Sequence, residues 1–298
     1  MVLESLLSPA NAEKKRYLML GFGFLASLVA GLVTYAIFLG TNLEIYASMA
    51  IVFFTALACV PLMYNIIKYE EEKDLQDLKE NLLLKEHGKA LAAFMFLFVG
   101  ITIGMTLLFI TLPWETVNNF FASQIDTLNI IRGGSSTTGM MTYFGVTPEQ
   151  VELFGKIFFN NVMVLVVAIL FSFVYGAGAI FVLTWNASVI ATAIGVFIRN
   201  NLAAYSDLVG LPMVAKHFHI ISVGLLKYSI HGIPEILAYF TAALAGGIIS
   251  VAVIRHDFGT AKFEHIILDS ADLVLISLGL LFVAAFLEVW ITPIFFPF

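Results

Sequence analysis

The sequence predicts an all-α fold: a polytopic bundle of about seven transmembrane helices with its N-terminus in the cytoplasm. Three observations predict it. Hydrophobic residues fill 60% of the 298 positions and charged residues only 12%, a balance that leaves too little polar surface for a soluble globule. The apolar residues gather into runs of about 20, the length at which an α-helix crosses the hydrocarbon core. Basic residues also alternate in density between successive connecting segments, as the positive-inside rule requires.

The spans are expected at 17–39, 45–67, 90–112, 157–175, 177–198, 233–254 and 273–290. Ahead of the first, Ser8-Pro9 and Lys14-Lys15-Arg16 do not resemble a cleavable signal, so that span is expected to remain as a helix. With the N-terminus inside, Lys14, Lys15, Arg16, Lys68, Lys73, Lys79, Lys85, Lys89, Arg255 and Lys262 are cytoplasmic; Arg132, Lys156, Arg199, Lys216 and Lys227 are outside. Three regions follow: an N-terminal three-span portion at 1–112, an extracytoplasmic loop at 113–156, and a membrane core at 157–298 carrying a polar site. The net charge of −6 supplies no basic surface, so nucleic acid is not an expected partner. The lone Cys59 lies within an apolar run and reads as an inert thiol.

Between spans two and three, residues 70–87 are the one strongly charged stretch, seven acids against three lysines, with Leu75, Leu78 and Leu82 at helical spacing. They read as an amphipathic cytoplasmic helix, either packed on the bundle end or docking a partner. In the outer segment, Gly133-Gly134-Ser135-Ser136-Thr137-Thr138-Gly139 lacks the Gly-x-Ser-x-Gly spacing of a serine nucleophile and reads as a loop. Residues 118–131 mix Phe120, Phe121, Ile125 and Leu128 with polar groups and are expected along the outer interface. Thr147-Pro148-Glu149-Gln150 is a capping box that starts the fourth helix outside the membrane. Tyr175-Gly176-Ala177-Gly178 is a tight reversal or a re-entrant break. Residues 211–230, apolar but punctuated by Lys216, His217, His219 and Lys227, are expected as an interfacial or re-entrant helix.

Polar groups then converge in depth. Asn160 and Asn161 open the fourth span, His231 and Glu235 the sixth, and Glu288 lies near the far end of the seventh. An intramembrane charge is costly, so such groups face a cavity, a partner or each other. Arg199, Asn186 and the loop histidines His217 and His219 are candidates to join them. Each has a structural alternative: helix capping or interhelical bonding for the asparagines, a satisfied histidine at His231, an interface anchor at Glu288 beside Trp290. Glu235 shares a stripe with Ala238, Ala242, Ala245 and Gly246; Thr184, Ser188, Thr192, Gly195 and Arg199 form another, and Asn161, Ala168, Ser172 and Tyr175 a third. Small residues on one face permit close helix approach, so the three faces are expected to meet. Pro234 is expected to start a helix, placing Glu235 beside its positive end.

These residues resemble the stage II sporulation protein M family of integral membrane proteins. The resemblance covers roughly residues 155–293. It rests on Phe159-Asn160-Asn161, on Asn186, on His231-Gly232-Ile233-Pro234-Glu235-Ile236-Leu237-Ala238 with Ala245-Gly246, and on Ala284-Ala285-Phe286-Leu287-Glu288 with Thr292-Pro293. Ile230 stands where the family often has proline, and the first three spans fall outside the match. In spore formers the resemblance implies a membrane scaffold that recruits cell-wall-degrading enzymes; other members come from organisms that do not sporulate.

Three functions compete. The first is a non-enzymatic scaffold in the cell membrane, with partners taken through the 113–156 loop or the 70–87 helix and a homodimer as one assembly. The second is a proton- or cation-coupled transporter or channel using Glu235 and Glu288. The third is a metal-dependent membrane hydrolase, with zinc or another divalent cation held by His231, Glu235 and Glu288 and by His217 or His219. The His-x-x-x-Glu spacing departs from the His-Glu-x-x-His of zinc proteases.

Overall fold

In the computed structural model the described residues are 12, 15–74, 80–133, 147–175, 178–203, 211–254 and 259–296. Among them there is no strand, and seven helices are long and apolar enough to cross a membrane. The helices are α1 Arg16–Phe38, α2 Ala47–Asp74, α3 Glu80–Thr111, α4 Trp114–Phe120, α5 Ala122–Gly133, α6 Pro148–Tyr175, α7 Ala179–Ala203, α8 Leu211–Ile254, α9 Ala261–Phe286 and α10 Thr292–Phe295. A π-helical turn, Leu287–Ile291, joins α9 to α10.

Lipid has no hydrophobic effect to offer between helices, so close packing must draw them together. The most extensive contact is between α1 and α3. The buried face of α1 is Met19, Gly23, Ala26, Ser27, Ala30, Gly31 and Thr34, a stripe of mostly small residues at helical spacing. Opposite it, α3 carries Gly100-Ile101-Thr102-Ile103-Gly104, a Gly-x-x-x-Gly run that lets two backbones touch. A Cβ on Gly23 would lie 2.3 Å from the Leu97 carbonyl oxygen, and one on Gly100 2.1 Å from that of Leu20.

Of residues 70–87, only the two ends are described as helix. Glu70 to Asp74 end α2 and Glu80 onwards begin α3, while 75–79, with Leu75 and Leu78, lie outside the described residues. The two arms are tied by buried His87, whose Nδ1 lies 2.8 Å from Oε2 of buried Glu70. An acid and a histidine bonded to each other satisfy the polar demand that an isolated helix would have met with water.

The 118–131 stretch departs from expectation. Phe120 and Phe121 are fully buried and Gln124 is enclosed. The Gln124 amide donates to Ser188 Oγ of α7 at 3.1 Å and to the Ser48 carbonyl of α2 at 3.3 Å. This segment packs into the helix bundle because its glutamine finds partners there. Residues 134–146, with most of the Gly133 to Gly139 stretch, lie outside the described residues.

At the start of α6 the capping box forms as the sequence predicts. The Gln150 backbone N–H donates to Thr147 Oγ1 at 3.2 Å, and the Thr147 N–H donates to Gln150 Oε1 at 3.0 Å. Gly176 and Ala177 lie outside the described residues, so the break between α6 and α7 is known only by its flanks.

The largest difference lies in α8. It is one continuous helix of 44 residues with Pro234 inside it, about 66 Å long against a hydrocarbon core of about 30 Å. The 211–230 segment is therefore not a separate interfacial element; it continues the sixth span, and Ile220 packs it onto Ile194 and Ile198 of α7. Pro234 does not begin a helix, and Glu235 stands in mid-helix, away from any positive helix end. Neighbouring helices tolerate such a proline because they supply packing around the freed backbone groups.

Candidate functional site

Three helices build the site. The central one, α8, packs most extensively on α9 and α6. Small residues make this possible: Ser172 Oγ of α6 donates to the Ala243 carbonyl of α8 at 2.6 Å, and a Cβ on Gly246 would lie 2.7 Å from the Ile169 carbonyl oxygen. The stripes of α6 and α8 thus meet, as their spacing predicts. The α7 stripe does not join them: Gly195 lies against Phe109 of α3, and Ser188 bonds to Gln124 of α5.

Within α8, one turn separates Glu235 from Tyr239, and the buried Tyr239 hydroxyl donates to Glu235 Oε1 at 2.9 Å. Glu288, on the π-helical turn, lies within electrostatic reach of both Glu235 and Tyr239. One turn before Glu235, His231 Nδ1 is 3.4 Å from Thr292 Oγ1. The seventh span therefore meets the sixth through Thr292, with Glu288 in electrostatic reach one turn away. The π turn has a local cause. Pro293 has no N–H for an i−4 bond and its ring crowds the preceding turn, and both the backbone N–H and the Oγ1 of Thr292 bond to the Leu287 carbonyl, the latter at 3.0 Å. An inserted residue of this kind is often found at functional positions.

Aromatic rings close the α6 side. Phe154 lies 5.2 Å from Phe282 and 5.5 Å from Trp290, and Phe158 lies 6.1 Å from Phe282, centroid to centroid. The start of α6 therefore stands beside the end of α9. Asn161 shares the Phe158 face and is buried. Asn160, which donates to Asn161 Oδ1 at 3.5 Å, is exposed on the other side.

The remaining candidates lie elsewhere. The amide of Asn186 bonds to its own helix at the Val182 carbonyl, 2.9 Å away. Arg199 donates to the Leu112 carbonyl and rests over the rings of Phe109 and Trp114 at 5.7 and 5.6 Å, so it ties α7 to the end of α3. The continuous course of α8 carries His219 and His217 about 18 to 21 Å along the axis from His231. His217 bonds to the Met213 carbonyl at 2.8 Å. Among the described residues no group of three or more His, Cys, Asp or Glu side chains is arranged to hold a metal ion. The expected zinc donors are thus not assembled.

Two partners escaped the sequence reading, Tyr239 and Thr292. Tyr239 carried a readable signal, since it lies four residues after Glu235 on one helical face.

The fold defines a polytopic helical membrane protein whose last two long helices carry Glu235 and Glu288 within electrostatic reach of each other. The chain belongs to the Stage II sporulation protein M family, whose model matches residues 93–293. The match begins in α3, so the third span and the segment after it belong to the family region; the resemblance drawn from the motifs alone began later, near residue 155. No curated protein and no solved structure matches the chain.

Proposed function

We propose that this membrane protein binds a proton or a monovalent cation between Glu235 and Glu288 and couples that binding to ion movement across the bilayer. One observation carries the reading: Tyr239 holds Glu235 by a 2.9 Å hydrogen bond while Glu288 comes within electrostatic reach of both. Two carboxylates within electrostatic reach in a low-dielectric interior repel, and protonation of one or a bound cation removes the repulsion. Tyr239 fixes one acid; the π turn supplies the other from a separate helix. Pro234 and the π turn are both interruptions of regular helix, the places where a span can bend. His231 and Thr292, one turn along, extend the polar surface on the same side.

The test uses purified protein in liposomes under an imposed proton, Na+ or K+ gradient. The wild type dissipates one of these gradients, and Glu235→Gln and Glu288→Gln each abolish that flux. Flux retained in both folded variants overturns the reading.

The scaffold reading draws support from family membership. It holds that the protein, resident in the cell membrane and alone or as a homodimer, recruits proteins through residues 113–156 or 70–87. Pull-down from membranes tests it: partners captured by the full chain are lost when these segments are deleted, and unchanged capture defeats it.

A further inference from the structure

The hydrogens of the two hydroxyls at the site are already committed. Tyr239 donates its own to Glu235 Oε1 at 2.9 Å, and Thr292 Oγ1 donates to the Leu287 carbonyl at 3.0 Å. A hydroxyl carries one hydrogen, so toward a second partner Thr292 can only accept. That partner is His231, whose Nδ1 lies 3.4 Å away. The opposite arrangement, with Thr292 donating to Nδ1, would give up the shorter of its two contacts. The hydrogen of neutral His231 therefore sits on Nδ1, and the free lone pair is on Nε2. His231 is half-buried, and among the described residues its Nε2 has no hydrogen-bond partner. A ring nitrogen of this kind takes protons and transition metals, whereas alkali cations take oxygen. No metal-holding group of His, Cys, Asp or Glu is assembled among the described residues, which leaves the proton. His231, Glu235 and Tyr239 also follow one another at intervals of four along α8, so they lie on one helix face, each about 6 Å further along the axis.

We propose that the ion bound at Glu235 and Glu288 is a proton, and that His231 exchanges it with Glu235 through Nε2. The proposal rests on the reading of the two acids as an ion site and narrows that reading to one ion. In the step, the Nε2 lone pair takes a proton and the ring becomes an imidazolium. That proton then passes, directly or through one water, to a carboxylate oxygen of Glu235; the acid becomes neutral and Nε2 recovers its lone pair. The Nδ1 hydrogen stays on Thr292 throughout. Thr292 is a positioning residue, because it handles no proton in transit and keeps the other ring nitrogen basic. The π turn contributes through its first residue, Leu287, whose carbonyl takes the Thr292 hydroxyl hydrogen.

The experiment reads the full chain in liposomes in two ways. Solid-state NMR of ¹⁵N-histidine-labelled protein at alkaline pH, with the His231 signals assigned by their loss in His231→Gln, shows which ring nitrogen carries the hydrogen. It is expected on Nδ1 in the wild type, to move at least partly to Nε2 in Thr292→Val, and to return to Nδ1 in Thr292→Ser. Flux is then measured under proton, Na+ and K+ gradients. Only the proton gradient is dissipated, Glu235→Gln abolishes the flux, and His231→Gln, shown folded by gel filtration, lowers it by about a hundredfold, the low end of what a positioned proton-transfer group contributes. Hydrogen on Nε2 in the wild type overturns the proposal and needs no variant to fold. So does full proton flux in folded His231→Gln. Na+ or K+ flux that requires Glu235 overturns it while leaving the two acids as an ion site; no flux under any gradient overturns both.

Discussion

Tyr239 and Glu235 stand one turn apart on α8, joined by a 2.9 Å hydrogen bond from the buried phenol to the carboxyl group. The bond gives the two residues unequal roles. Glu235→Gln keeps an acceptor oxygen in the same place, whereas Tyr239→Phe removes the hydroxyl that donates to it. Tyr239→Phe is expected to lower stability by about 1 to 3 kcal/mol, the cost of a buried polar group losing its partner; Glu235→Gln is expected to cost clearly less. Thermal denaturation of both variants in nanodiscs checks the order, and equal losses would contradict it.

The α1–α3 crossing makes a sharper prediction about glycine. A Cβ on Gly100 would lie 2.1 Å from the Leu20 carbonyl oxygen, but one on Gly21 would meet nothing within 4 Å. Gly100→Ala forces two backbones apart and is expected to cost about 1 to 3 kcal/mol by overpacking. Gly21→Ala is expected to be neutral or slightly stabilising, since alanine is the better helix former. Melting midpoints of the two variants, measured side by side, decide it.

Arg199 supplies a third case. Its guanidinium bonds to the Leu112 carbonyl and lies over two rings. Lysine keeps the charge but not the planar fork that bonds and stacks together. Arg199→Lys is therefore expected to destabilise by about 1 to 2 kcal/mol while leaving ion flux per folded molecule unchanged. A loss of flux at full stability would place Arg199 in the ion site after all.

The spans were legible because hydropathy and length alone decide what can cross a bilayer. So was the cap at Thr147, where Gln150 follows at the required spacing. What misled was polarity inside α8. Lys216, His217, His219 and Pro234 look like boundary markers when each residue is judged singly, yet α7 packs along that helix and keeps it unbroken. The two histidines were consequently assigned to a site that the helix carries them away from. The 118–131 segment was misplaced for the opposite reason: Ser48 and Ser188, the partners of its Gln124, are distant in sequence. At the site, depth was readable from the position of each residue in its span, which is why His231, Glu235 and Glu288 were expected at one level. Facing was not. Asn160 and Asn161 are adjacent in sequence, but only Asn161 points inward, and Arg199 serves a different contact. The Gly100 to Gly104 spacing was visible throughout and identifies the tightest crossing in the N-terminal half.

The central claim is that Glu235 and Glu288 form one coupled site. Infrared titration of protonated-carboxyl absorption in reconstituted membranes tests it most directly, with wild type compared against Glu235→Gln and Glu288→Gln. The account predicts that removing either acid moves the titration midpoint of the other. Two acids that titrate independently, each unchanged by loss of its neighbour, would contradict it.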